Sequence, residues 1–373
     1  MSGTDRMNGG SGEKRAVSVG IVGCGVMGRV YLKAAASLKE DLVVHAVADL
    51  NREAAQAAVE QFGVPASYGS AEEMVADENV DAVVFAVPPS AFKTELALRA
   101  MALGKHVLLE KPVALTLAEA EKLVGAAHAS GVVAAGCSSR LRFMESAAAV
   151  KRVLDAGTLG RLRSVSVRWL LPAKPKPEPG KLPPPWRLNP ALNGGGSLTN
   201  LGTYILDYGF GMMDGWGLRP RSIAGHAWGL SGLFADHVVS GSVGETYSTA
   251  HIRFREADAP VFLLEQGEYL VGPQEAAWRF IGEHGGLVAP IVPGPQNSVI
   301  LYQYGDEGGV EPSVLWSGAE TFEQLQVRLL ADFAGAIRER RAPRTTLQQA
   351  LELQRLIDAV YRSSASGEPV ALG

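Results

Sequence analysis

Cysteine is nearly absent from this chain, with Cys24 and Cys137 the two thiols in 373 residues. Neither belongs to a CxxC pair, so a disulfide framework is excluded and a reducing, cytoplasmic setting is expected. No apolar run reaches the roughly 18 residues of a membrane-spanning helix, so no membrane partner is expected. The polar, glycine-rich start MSGTDRMNGGSGEKR lacks the apolar centre of a secretion signal, and residues 1–15 read as a disordered tail. A surplus of positive charge is also lacking. With 35 basic and 39 acidic side chains the net charge is −4, which gives no general attraction to nucleic acid. The one basic cluster, Arg338 to Arg344, reads as a complement to a helix C-terminus. Seven histidines occur without HExxH or comparable ligand spacing, so no metal site is expected.

What is present is a regular alternation. From Ala16, apolar strand-like runs (AVSVGIVGCG, LVVHAVAD, DAVVFAVPP, KHVLLEKP, VVAAGCSS) alternate with helical segments over Val26–Leu38, Arg52–Phe62, a helix opened by Ser90, and Leu117–Ser130. Capping-box pairs are expected at Ser70/Glu73, Thr116/Glu119, Thr321/Gln324 and Thr346/Gln349. Strand–helix alternation implies right-handed crossovers and a parallel, doubly wound α/β sheet over residues 16–139. Beyond Arg140 the pattern becomes strand-rich, and two helices, Phe322–Arg340 and Leu347–Ser363, close the chain. Residues 140–373 therefore read as a second α/β domain, whose last helices can pack back on the first. Between its strands, residues 172–190 hold eight prolines, which suits a loop or extended arm and not a strand.

The segment GCGVMG places Gly23, Gly25 and Gly28 in GxGxxG spacing, between a strand and a helix. Asp49 ends the next strand, 21 residues beyond Gly28 (49 − 28). That context is the fingerprint of a dinucleotide fold. Gly23 allows the tight turn, Gly25 gives room for a pyrophosphate, Gly28 permits close packing, and Val26 and Met27 open the helix whose N-terminus favours the anion. Asp49 can accept from a ribose 2′-hydroxyl and repels a 2′-phosphate, which selects NAD. Arg52 leaves NADP possible. Pro88 lies at the carboxyl end of a further strand. Glu110, Lys111 and Pro112 lie at the end of the next, where open α/β sheets bind ligands. A lysine held between a buried run and a proline can hydrogen-bond a substrate hydroxyl and stabilise a developing alkoxide.

Together, GCGVMG, ADLNRE, GKHVLLEKPVAL, GGGSLTNLGTYILD and LQRLIDAVYRSSASGEPVAL resemble the Gfo/Idh/MocA oxidoreductase family, over almost the whole chain from Ala16. The resemblance implies a Rossmann domain followed by an α/β domain with a large open, mostly antiparallel sheet. It further implies NAD(P) as cofactor, and sugars, cyclitols and their derivatives as substrates. Lys111 would be the catalytic lysine. GGGSLTNLGTYILD carries Asn200 where many members have aspartate and Tyr204 where many have histidine. Tyrosine at that position also occurs in members resembling glucose–fructose oxidoreductase.

The expected activity is reversible oxidation of a sugar or cyclitol secondary alcohol. Lys111 or Tyr204 would carry the hydroxyl proton, and a nearby ammonium would lower the tyrosine's pKa. Asn200 and Asp207 would orient hydroxyls. Arg140, Arg187 and Trp186 could contact substrate or serve in packing and ion pairs. Two other readings stay open. One is a glycoside hydrolase or lyase acting through transient oxidation and elimination. The other is a dinucleotide-binding sensor without turnover. Open sheet faces need cover, so a homo-oligomer, dimer or tetramer, is expected.

Overall fold

The computed structural model describes residues 15–178 and 180–373, so the tail expected over residues 1–15 falls almost wholly outside the described residues. The first sheet is built from β1 (Val17–Val22), β2 (Leu42–Ala48), β3 (Ala66–Tyr68), β4 (Ala82–Phe85), β5 (His106–Leu109) and β6 (Ala134–Gly136). All its pairings are parallel, in the order β3-β2-β1-β4-β5-β6. The order reverses between β1 and β4, where a doubly wound sheet leaves its ligand crevice. β1, β4 and most of β5 are buried along their length, as apolar runs covered on both faces by helices must be.

The crossovers are α1 (Val26–Ala35), α2 (Arg52–Phe62), α3 (Ala71–Ala76), α4 (Ala91–Ala102) and α5 (Leu117–Ser130). α1 stops three residues before the expected Leu38, in a series of turn hydrogen bonds at residues 36–38. Both halves of the capping box form at Thr116/Glu119. At Ser70 only one half forms, because the Ser70 hydroxyl takes the Glu73 N–H while its own proton goes to Glu72.

A 3₁₀ segment, Cys137–Phe143, replaces the expected continuation of β6 and leads into α6 (Glu145–Asp155). The second sheet begins with β7 (Leu162–Pro172). After it come α7 (Pro190–Asn193), a π-helical turn at Leu198–Gly202 and α8 (Thr203–Met212). β8 (Pro220–Gly229), β9 (Glu245–Phe254), β10 (Val261–Leu270), β11 (Glu275–Gly282), β12 (Gly285–Pro290), β13 (Asn297–Tyr304) and β14 (Val310–Gly318) follow. α9 (Phe322–Glu339), α10 (Leu347–Ser366) and β15 (Val370–Ala371) complete the chain. The sheet order is β14-β13-β12-β11-β7-β10-β9-β8-β15, antiparallel except for the β7–β10 pair. The expected pairing of a parallel with a mostly antiparallel sheet is therefore what the chain builds.

Its inner face packs on α6, α8 and α10, with Trp278, Phe262 and Phe280 at the centre and Tyr208 of α8 stacked on Trp278 at 4.9 Å. The closing helices join the two cores. Leu329, Leu330 and Phe333 of α9 pack with Val19, Tyr31 and Leu32. α10 gives Leu347, Ala350 and Leu351 to the parallel sheet's core and Leu356, Ile357 and Val360 to the other. The crevice between the sheets is thus walled by elements of both.

Candidate active site

The glycine turn after β1 has three different physical demands. Gly23 has φ +94°, in the left-handed region, and a Cβ there would meet Val87 Cγ1 at 2.7 Å. At Gly28 a Cβ would overlap the Gly23 carbonyl oxygen, so that glycine is required by packing alone. At Gly25 an added Cβ would meet nothing within 4 Å. Gly25 is the N-cap of α1 without a side-chain cap, and Val26 beside it is 82 % exposed. Open space plus uncapped first-turn amides is what a pyrophosphate requires, so these residues fit a dinucleotide. Asp49 Oδ2 accepts from Cys24 N at 2.7 Å and its Oδ1 from Asn51 N at 2.8 Å, so the carboxylate is fixed at the rim of the turn. Arg52 is exposed beside Gly69, and Pro88 is exposed at the end of β4.

Lys111 follows β5, joined to Pro112 by a cis peptide bond. Its ammonium hydrogen-bonds Asn200 Oδ1 and lies 5.3 Å from the centre of the Tyr204 ring. The π-helical turn carries Asn200 and α8 carries Tyr204, so two elements of the second sheet's layer meet a strand end of the first. Arg140, from the 3₁₀ segment, donates to the Tyr204 hydroxyl and, at 2.6 Å, to Glu110 Oε1. Glu110 Oε1 also accepts from Tyr31 Oη at 2.8 Å, and its Oε2 accepts from Cys137 Sγ at 2.9 Å.

These surroundings set the protonation states. Burial pushes the Lys111 amine down against the pull of Glu110, with Arg140 and Arg187 adding to the fall, to about 8. Burial alone would raise the Glu110 carboxyl, but Arg140, the Cys137 thiol, Lys111 and Tyr31 outweigh it and hold it at about 2. The expectation that a neighbouring cation would lower Tyr204 is corrected. Burial dominates, Arg140 opposes it without overcoming it, and the phenol lies well above its ordinary value. Tyr204 is therefore a hydrogen-bond donor throughout the physiological range.

Other expectations also change. Asn200 is 6 % exposed and holds the Lys111 ammonium. Arg140 is 5 % exposed within an ion pair, so it acts on Tyr204 and is not an open substrate contact. Asp207, three residues beyond Tyr204, is not brought to the cluster. Thr345 Oγ1 donates to its Oδ2 at 2.8 Å, and Arg142 lies 3.5 Å from Oδ1. Arg187 pairs with the buried Glu268, and its charge adds to the fall of the Lys111 amine. Trp186 is half-buried on the same short turn, where its carbonyl accepts from Asn189 N at 3.3 Å.

The glycines before this wall are packing devices. A Cβ at Gly195 would overlap Thr199 and Tyr361, and one at Gly196 would overlap the Glu245 backbone. Sequence reasoning passed over Glu245, whose carboxylate accepts from Gly196 N at 2.8 Å and Leu198 N at 2.7 Å. It also passed over Tyr31, Glu268 and Tyr269. Tyr269, next to Glu268, is a non-glycine residue at φ +58°, the kind of backbone strain that collects at functional sites. The signal for Glu245 was faint: one acid at the start of an apolar strand.

The chain resembles known proteins over both of its sheets. Residues 17–136 match the model described as oxidoreductase family, NAD-binding Rossmann fold. Residues 147–288 match the GFO/IDH/MocA C-terminal domain. The chain belongs to the Gfo/Idh/MocA oxidoreductase family. Its first domain is thereby an NAD-binding Rossmann domain. Among curated relatives, trans-1,2-dihydrobenzene-1,2-diol dehydrogenase of Mus musculus is 34 % identical over 40 % of this chain and 44 % of its own length. The dTDP-3,4-didehydro-2,6-dideoxy-alpha-D-glucose 3-reductase of Streptomyces violaceoruber is 28 % identical over 75 % of each chain. The chain spans about half the length of most such relatives. Among solved structures, levoglucosan dehydrogenase in complex with NADH and L-sorbose superposes with TM-score 0.80 at 20 % identity, covering 96 % of this chain and 99 % of that one. Similarity at that level speaks for the shared fold.

Proposed function

We propose that this Gfo/Idh/MocA oxidoreductase reversibly oxidises a secondary alcohol of a sugar or cyclitol with NAD. The observation that carries the reading is the meeting of Lys111, Asn200, Tyr204 and Arg140 beyond the carboxyl end of β5, in the same parallel sheet whose β1 turn leaves open space at Gly25. Gly23, Gly25 and the amides of Val26 and Met27 would hold the pyrophosphate, and Asp49 the adenosine ribose. A fixed carboxylate there disfavours a 2′-phosphate, which supports NAD over NADP. When bound, the nicotinamide supplies the hydride acceptor.

The chain's residues then divide the proton work. Lys111, poised near 8, accepts the hydroxyl proton in oxidation and returns it in reduction, because a base matched to working pH is the effective one. Tyr204 stays protonated and donates a hydrogen bond to the reacting oxygen, with Arg140 fixing its hydroxyl. Asn200 Oδ1 orients the Lys111 amine. Arg187 with Glu268 forms the remaining polar wall, for further substrate hydroxyls. The reading of relatives named for levoglucosan and inositol supports this substrate class.

The test is a panel of sugars, cyclitols and glycosides with NAD, read for both NADH and released aglycone. NADH formation with a free polyol supports the proposal. Aglycone release without net NADH would instead indicate transient oxidation followed by elimination. Dinucleotide binding without turnover of any substrate would indicate a sensor.

A further inference from the structure

Lys93 is wholly buried, at 0 % exposure, in the first turn of α4. Its placement runs against two ordinary preferences. A lysine loses hydration there, and a cation sits at the positive end of a helix. Ser90 caps the turn by accepting from Lys93 N at 3.1 Å, so the backbone gains nothing from a lysine in particular. What the side chain does is reach across to the loop after β5. Its Nζ donates to the carbonyl oxygens of Glu110 at 3.0 Å and of Pro112 at 2.7 Å. Those carbonyls flank Lys111 on either side.

We propose that Lys93 is a positioning residue for Lys111, clamping both flanking carbonyls and keeping a second positive charge within reach of the Lys111 ammonium. The charged or titratable groups around it are Cys137, Glu110, Lys111 and Glu119. Of these, Glu110 is already engaged with Arg140 and Tyr31, and Glu119 with the Thr116 cap. Repulsion between the two ammonium groups is mutual. Burial first, and Lys111 among its neighbours, push Lys93 down to about 8. By reciprocity the same repulsion adds to the fall that burial, Arg140 and Arg187 give Lys111, and the two titrate as a coupled pair. The clamp thus fixes the amine in place and keeps more of it in the proton-accepting form.

The proposal rests on Lys111 being the proton carrier, and the experiment separates the two claims. Competitive labelling with acetic anhydride, read by peptide mass spectrometry across pH, gives the titration of Lys111 without turnover. In Lys93→Met the Lys111 midpoint moves up by on the order of one pH unit. Alcohol oxidation at pH 7 falls about tenfold and recovers largely by pH 10, a recovery that simple misfolding would not give. NAD affinity and the melting temperature serve as controls. Should Lys93→Met not fold, Lys93→Gln keeps a donor without the charge and gives the same reading. An unmoved Lys111 midpoint in the folded variant overturns the inference. Full turnover in Lys111→Ala would instead overturn the catalytic reading, while leaving the titration result to stand on its own.

Discussion

The pH dependence of alcohol oxidation follows directly from the cluster around Lys111. With the amine at about 8, roughly half of it is neutral at pH 8 and about 1 % at pH 6. Between pH 6 and a plateau near pH 9.5, kcat for oxidation should therefore rise about fifty- to a hundredfold, close to tenfold per unit on the steep part. Lys93, also at about 8 and coupled to Lys111, titrates in the same window and broadens the rise without reversing it. Glu110, held at about 2, stays ionised, and Tyr204, raised by burial, stays protonated. Reduction needs the protonated amine, so its profile is the mirror image, highest below pH 7 and falling through 8. The assay is the initial rate of NADH formation at saturating substrate and NAD in a constant-ionic-strength buffer series. A flat profile between pH 6 and 9 would refute the assignment of the proton to Lys111. So would an inflection near 10 that disappears in Tyr204→Phe, which would move the proton to the tyrosine.

Three further outcomes follow. Lys111→Met should lower kcat at least about 10²-fold and abolish the inflection, whereas Tyr204→Phe should lose about 10- to 10²-fold in kcat with the inflection in place; steady-state rates across pH distinguish them. Gly25→Ala, which meets no neighbour, should melt like the parent yet bind NAD weakly, whereas Gly28→Ala, which overlaps the Gly23 carbonyl, should lose both melting temperature and NAD affinity; calorimetry and NAD titration read the two effects. The outer face of the second sheet exposes Trp228 (49 %), Leu263 (40 %) and Ile281 (51 %), which points to self-association as a dimer or tetramer; light scattering giving a monomer at working concentration would contradict it.

Much of the architecture was legible because it rests on local signals. Apolar runs of four to seven residues between capped helices have few ways to form a sheet, and GxGxxG followed by Asp49 has a backbone reason for each position. Lys111 was legible because a cation between a buried run and a proline is costly unless used. The partners were not legible, because they are set by tertiary contact. Asn200 meets Lys111 only after a π-helical turn shifts the helical register, which no periodicity in TNLGTYILD announces. The raised pKa of Tyr204 reflects burial between two layers, a quantity that sequence neighbours do not carry. Asp207 shares a helix with Tyr204 but is claimed by Thr345 and Arg142 from elsewhere in the chain. Lys93 and Glu245 look like ordinary surface charges in sequence and are buried anchors in the fold.

Direct hydride transfer from a substrate carbon to NAD is open to one isotope measurement. A substrate from the panel, deuterated at the carbinol carbon, is turned over with unlabelled NAD, and the reduced dinucleotide is analysed by mass spectrometry. NADD carrying one deuterium per turnover is the expected product, with Lys111→Met forming little of it. Reduced dinucleotide without label, or deuterium appearing in water while a leaving group is released, would contradict it.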